Sequence, residues 1–393
     1  MHPFGRFPDV SLTQMGVVAV RAALKEAGVE RGGFQAAFCG TAYGGVASGH
    51  KVLGAIGMTG MPIVDVEAGC ASGGAALMLA ASSIASGQYE TVLVFGIEKM
   101  PKGMIRSSFF EPWQEESGMS ATPAYFALRA QRLMQTSGVT KEHLARVVVK
   151  NRSQGVLNCD AMYRSLVSEG EVLSSRLVCE PLHLWMLCSP NEGAAAVVLT
   201  RAPSHGANAG LTRESRASSV SLLAAVLRSH LPGPVLGEST PMAGLVESHV
   251  VASGEDGAFV NEATLPSATT LAARSAYEEA GVGPEDLDVV ECQDTDAARE
   301  LLSYEELGLC SDGGAGAFFA TGATERGGRL PVNMSGGLLS KGEPLGASAL
   351  GQVVELVRQL RGDAGDRQVD GARVALSHTV GRGANAGVVI LRG

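Results

Sequence analysis

Apolar residues at helical spacing from Leu12 to Ala27 predict an amphipathic helix stopped by Gly28, and the apolar run at 34–40 predicts a buried strand. A Gly-rich loop and a short helix fill 41–61. A brief apolar strand at 62–66 then runs into Glu67-Ala68-Gly69-Cys70 and a small-residue helix from about 71 to 85. That helix is apolar almost all round from Ala75 to Ile84, as a buried helix is. Residues 89–96 read as a second buried strand. From 101 to about 164 the pattern breaks into loops, prolines and aromatics (Phe109, Phe110, Trp113) around a helix at 123–136, which predicts an excursion covering a site. Strand returns at 192–200, and the polar stretch 201–216 reads as a linker.

The second part repeats the first. The helix AARSAYEEAGV (272–282) answers RAALKEAGV (21–29), and LDVVECQDT (287–295) answers FQAAFCGTA (34–42). GASALGQVVELVRQLRG (346–362) takes the place of the helix after Cys70, and GANAGVVIL (383–391) answers EGAAAVVLT (192–200). Four matched segments in one order indicate an internal duplication. The expected organisation is a first half at 1–203, with a covering segment at about 101–165, and a second half at 217–393. Alternating strand and helix predict parallel sheets joined by right-handed crossovers. A pseudo-twofold between the halves would bring the Cys70 corner and the 333–346 loop together at the seam, where sites form.

A chain of 393 residues has ample core for such a duplicated α/β protein, and its 51 glycines suit close packing of small residues. The formal charge of −9 argues against nucleic acid or an anionic membrane as a main partner. No apolar run reaches membrane-spanning length and the N-terminus lacks a signal-peptide pattern, so a cytoplasmic location is expected. The seven cysteines are scattered, without CxxC spacing. Reduced thiols are expected, with no zinc site and no disulfide framework.

Cys70 carries the chemistry that can be read from residues alone. It stands where a strand turns into a helix, beside unsatisfied N–H groups and the positive end of the helix dipole, and Ser72, Gly73 and Gly74 keep the first turn slim. Such a corner favours a thiolate and has the form of a nucleophile elbow carrying Cys. The bland reading is a small buried apolar residue.

The segments VEAGCASGG (66–74), VFGIEKM (94–100), SPNEGAAAVVL (189–199), ECQDTDAARELLSYEELGLC (291–310), NMSGGLLSKGEPLGAS (333–348) and SHTVGRGANAGVVIL (377–391) resemble thiolase-fold proteins of the sterol-carrier-protein-x type, often called lipid-transfer proteins. The resemblance spans essentially the whole chain. It implies an α/β thiolase fold of two duplicated βαβαβαββ halves in a five-layered αβαβα arrangement. It gives Cys70 the role of acceptor for an acyl group from a CoA thioester, with no bound cofactor. Where the family has His-Asp-Cys-Phe this chain has Gln293-Asp294-Thr295-Asp296, and where it has Gly-His-Pro the chain has Gly342-Glu343-Pro344. Ordinary thiolytic cleavage of a 3-ketoacyl-CoA is therefore not expected.

Physically, an ionised Glu343 raises a neighbouring thiol's pKa, yet it can take a proton from a carbon acid or hydroxyl. Gln293 offers an amide donor to a thioester carbonyl. His378, the histidine of a site-forming segment, should end near the seam as an acid/base or carbonyl contact, or else as a turn residue bonded to backbone. Asn333, Gly336 and Gly337 should shape their loop, Asp294 and Asp296 should support it or start a helix, and the other cysteines should be core. Trp113, Tyr125, Phe126 and Trp185 line an acyl tunnel or simply pack. The expected activities are acyl transfer through Cys70, a retro-aldol lyase in which Cys70 only lines the pocket, or a degenerate lipid-binding scaffold. The resemblance also implies a homodimer through the first-half sheet and a small zinc-ribbon/OB-fold partner. Since the chain begins at Met1-His2-Pro3-Phe4-Gly5, by this resemblance just after the family's first strand, either the start codon is misassigned or that strand is missing from its sheet.

Overall fold

The computed structural model describes the chain apart from residues 31, 103–111, 117, 119–120, 202–218, 232–250, 253–258, 261–265 and 382–384. Phe109, Phe110 and most of the expected linker lie outside the described residues. The first half runs β1 His2–Gly5, α1 Leu12–Ala27, β2 Ala36–Gly40, α2 Ser48–Ala55, β3 Ile63–Val66, α3 Ser72–Ala85 and β4 Thr91–Lys99. The excursion follows as α4 Pro112–Glu116, α5 Thr122–Ser137, α6 Lys141–Val156, α7 Glu169–Ser174 and the short strands β5 Leu177–Cys179 and β6 Leu182–His183, before β7 Glu192–Thr200. The second half has β8 Ser221–Ser229, a small pair β9 Val251–Ala252 and β10 Phe259–Val260, α8 Ala268–Ala280, β11 Val289–Glu291 and α9 Ala297–Glu306. It ends with α10 Ala315–Ala320, α11 Gly337–Lys341, α12 Leu345–Arg361, β12 Val374–Gly381 and β13 Asn385–Arg392.

Local chemistry sets the helix limits that the pattern predicts. Ser11 and Gln14 form a reciprocal capping box at the start of α1, and Gly28 ends it in the left-handed conformation at φ 66°. Thr140 and Ser168 cap α6 and α7 in the same way.

The duplication appears in the sheets. The first is ordered β1-β7-β4-β2-β3 and the second β11-β12-β13-β8, the latter continued by a single parallel bridge from Val290 to Val332. Each segment matched by sequence occupies the equivalent place. The sheets are mixed, however, and not wholly parallel. β7 runs antiparallel to β1 and β4, and β13 antiparallel to β8 and β12. An apolar run marks a strand as buried but carries no sign of its direction. The edge position beside β7 is taken by a short strand, residues 2–5, which pairs with residues 192–194. Phe4 is buried there, its ring occupying the room left by the missing side chains of Gly193 and Gly351. Pro3 is tolerated because β1 lies at a sheet edge.

Alternation along the strands makes five layers. Phe95 and Ile97 of β4 face α1 and α2, whereas Val92 and Val94 face a middle layer of α3 and α12. From the other side Val289, Ala375 and Val389 meet the same two helices, and Val290, Leu376 and Val388 face α8 and α9. α3 is buried on most of its surface, but Leu79 remains 38% exposed.

Glycine permits the closest crossing at the seam. A methyl group on Gly96 would strike the Gly346 carbonyl at the head of α12, and one on Gly346 would strike the carbonyls of Gly40 and Ile97. Glu98, just beyond, accepts from the backbone N–H groups of Ala42, Tyr43 and Gly346, tying the first half's loop to the second half's helix. Burial pushes its pKa up, against the pull of these donors. No helix among the described residues is long and apolar enough to cross a membrane.

Candidate functional site

Cys70 lies in a single 3₁₀ turn, Gly69–Ala71, leading directly into α3. Gly69 takes φ 58°, which allows the sharp turn out of β3. Ser72 locks the corner by accepting from the Ala68 N–H and donating to the Gly69 carbonyl. The cysteine is 7% exposed. α12 closes the corner from the second half, with Gly73 against Gly346 and Ala349, and with Ser348 Oγ 3.5 Å from the Cys70 carbonyl oxygen.

Glu343 ends the loop that precedes α12, and Gln293 follows β11. Gln293 Nε2 donates to Glu343 Oε1 at 2.9 Å. The side-chain oxygen of Gln293, Oε1, is buried without a hydrogen-bond partner. The segment 187–191, which leads into β7, threads between these two loops. Cys188 N donates to the Thr295 carbonyl, Glu343 N donates to the Ser189 carbonyl, and Asn191 Nδ2 donates to the Lys341 carbonyl. Gly342, at φ 81°, leaves room for the Asn191 side chain. These ties place the Cys188 thiol 3.2 Å from Glu343 Oε2, donating to it. Burial first, then the Glu343 carboxylate, then Cys70 and Asp294 push the Cys188 thiol well above its ordinary pKa. The structure thus gathers Cys70, Cys188, Glu343 and Gln293 from four segments of both halves.

His378 is not brought to this group. Residues 374, 376, 378 and 380 of β12 face the outer layer, and His378 Nε2 bonds Thr269 Oγ1 of α8 at 3.0 Å. Its ring is fully buried, and burial followed by the nearby Arg299 holds its pKa well below the usual value. The neighbouring Thr379 points inward instead, its hydroxyl lying towards Gly74 in the first turn of α3. A period of two decides which residue faces the seam, and the expectation for His378 was one position out of phase.

Behind the site lies a buried polar network that fixes the loops. Asp294 accepts from the N–H groups of Leu338 and Leu339 and from Asn151. Burial and the neighbouring Glu300 carboxylate push its pKa well up. Glu300 pairs with Lys150 at 2.7 Å and accepts from Asn151, Asn333 and Tyr304. Asn333, at φ 60°, accepts from the Cys292 N–H and so shapes its loop. Asp296 caps α9 through the Arg299 N–H and pairs with Arg129. Tyr125 and Phe126 pack in the outer core of the second half with the Arg129 guanidinium over both rings, Trp185 borders that core, and Trp113 is half exposed. All seven cysteines are free of disulfides, but not all are core, because Cys159 is exposed and Cys188 is part of the site. Among the described residues no cluster of His, Cys, Asp and Glu is arranged to hold a metal.

Sequence reasoning passed over Cys188. The signal available was its place in CSPNEG, one residue ahead of a segment already singled out.

The thiolase N-terminal domain model matches residues 1–168, and the thiolase C-terminal domain-like model matches residues 248–393. The chain belongs to the thiolase superfamily. Within it the chain is of the sterol-carrier-protein and lipid-transfer-protein type. It is 34% identical to acetyl-CoA acetyltransferase of Methanothermobacter thermautotrophicus, over 96% of this chain and 93% of that one. It is also 34% identical to the benzoylsuccinyl-CoA thiolase subunit BbsB of Thauera aromatica, over 98% and 93% of the two chains. Against sterol carrier protein 2 of Bos taurus the identity is 34% over 92% of this chain, which spans 64% of that longer protein. A solved structure titled Ltp2-ChsH2(DUF35) aldolase has the same fold, with a TM-score of 0.79 and 23% identity over the whole chain and 95% of the other. By its relatives this chain is a thiolase-like enzyme of acyltransferase type, and the group around Cys188 holds a carboxylate and an amide.

Proposed function

We propose that this enzyme forms or breaks a C–C bond by acyl transfer from a CoA or carrier thioester, with Cys70 as the acyl acceptor. The observation that carries the reading is the placing of a cysteine at a helix head, across the seam from a carboxylate and an amide. The N–H groups at the start of α3 favour the thiolate and the charge that develops on a thioester oxygen during attack. Glu343 serves as the base that removes a proton from the carbon acid or hydroxyl partner. Gln293 holds the carboxylate through one amide hydrogen and offers the other to substrate. The carboxylate in this group, and the lack of a histidine there among the described residues, argue for a reaction other than thiolytic cleavage, in which an imidazole would take the thiol's proton.

Incubation with acetyl-CoA and with longer acyl-CoAs, followed by intact-mass measurement, tests the reading. An acyl adduct that disappears in Cys70→Ala is the expected result. C–C cleavage that survives Cys70→Ala but is lost in Glu343→Gln would replace acyl transfer by a retro-aldol lyase. No adduct and no turnover with any thioester would leave a lipid-binding scaffold.

The same reading includes a homodimer formed through the first-half sheet, supported by the open edge of β3, where Val64 is 41% exposed. It also includes a small OB-fold partner, as the aldolase's title names a DUF35 component for that protein.

A further inference from the structure

Cys188 has no place in the reading above, yet it sits at the centre of the group. Its backbone is fixed to the 295 loop, and the residues after it are fixed to the 341–343 loop. Its thiol therefore meets Glu343 by construction. A thiol that donates 3.2 Å to a carboxylate oxygen stabilises the charged form of that carboxylate and fixes its direction. Gln293 does the same at the other oxygen. The Glu343 carboxylate faces the Cys188 thiol, and the charges of Cys70 and Asp294 add to its effect, so each of these groups opposes a thiolate there. Cys188 works as S–H.

We propose that Cys188 is a positioning residue that acts through Glu343: its thiol holds the carboxylate ionised and aimed at the Cys70 corner, and so sets the proton balance between Glu343 and Cys70. The proposal rests on Cys70 and Glu343 forming one site but not on which substrate they process. Without the thiol donor, Glu343 holds a proton more readily. It then withdraws the Cys70 proton more easily and repels the thiolate less, so the Cys70 thiolate forms at lower pH.

The test is alkylation of the full-length chain by iodoacetamide across pH, with Cys70 and Cys188 followed separately by peptide mass. In Cys188→Ala the midpoint for Cys70 moves down by half a pH unit or more. In Cys188→Ser, which keeps a donor, it stays close to the parent's. In Glu343→Gln, which removes the facing charge, Cys188 reacts several-fold faster at pH 9 while the half-buried Cys179 does not change. A Cys70 midpoint that Cys188→Ala leaves unmoved, or that Ala and Ser move alike, overturns the proposal. So does a Cys188 rate indifferent to Glu343→Gln. Should Glu343→Gln fail to fold, the Ala and Ser pair decides by itself. If these couplings hold while no acyl adduct forms on Cys70, the acyl-transfer reading fails and the positioning role stands.

Discussion

At the scale of single residues, burial decides which titratable groups are available for chemistry. His378 is neutral because its ring is enclosed and Arg299 lies nearby, while Thr269 takes its Nε2. In the unfolded chain the ring titrates near its ordinary 6.5. Folded, it resists the proton, so below that pH the unfolded state binds more protons and stability falls as pH drops. His378→Gln is expected to lose about 1 kcal/mol at pH 7 through the broken hydrogen bond. It should show a smaller further loss than the parent between pH 7 and pH 5, as measured by urea melts. A group that acted on substrate would instead change turnover while leaving the melts alone. Sequence made His378 visible as a histidine in the right segment, but the face of β12 to which it belongs follows from sheet register. Cys188 shows the reverse case, since nothing in its own neighbourhood in sequence announces Glu343, which is 155 residues away.

At the scale of elements, the close crossing of α12 over β4 joins the two halves beside the Cys70 corner. Gly346→Ala forces a methyl group into the carbonyls of Gly40 and Ile97, backbone that cannot step aside. The expected cost is roughly 1–3 kcal/mol from overpacking, read as a lower denaturation midpoint. The proposed acylation of Cys70 should slow as well, because the head of α12 borders that corner. Gly342→Ala acts on the loop that carries Glu343. It imposes a side chain at φ 81° and displaces Asn191, so it is expected to cost about 1–2 kcal/mol and to change the Cys188–Glu343 coupling along with it. The helix ends, the Cys70 turn and the duplicated segments were legible in the sequence, because capping residues, glycines and apolar periods act over a few residues. Strand direction and the edge strand β1 were not, because four residues containing proline and glycine carry almost no pattern.

At the scale of the molecule, the two halves are joined by polar groups as well as by the shared middle layer. Lys150 of the excursion reaches into the second half, where it pairs with Glu300 and donates to the Val332 carbonyl. Breaking this fully buried pair by Lys150→Met leaves an uncompensated carboxylate and is expected to cost about 3–5 kcal/mol in denaturant melts. The double variant Lys150→Met with Glu300→Gln should recover part of that loss, since the unpaired charge is then gone. The excursion expected to cover the site is in this respect also a brace, because α6 fixes the loops that carry Gln293 and Asn333.

The sequence by itself determined the duplicated α/β halves, the cysteine at a strand-to-helix corner and the presence of Gln293 and Glu343 in their loops. These features rest on local periodicity and on residue identity, which a linear chain displays directly. Only the tertiary structure decided that Thr379 and not His378 faces the seam, and that Cys188 meets Glu343. It also showed that a buried network behind the site fixes both loops. Such contacts depend on sheet register and on the crossing of segments far apart in the chain, and no short-range pattern encodes either.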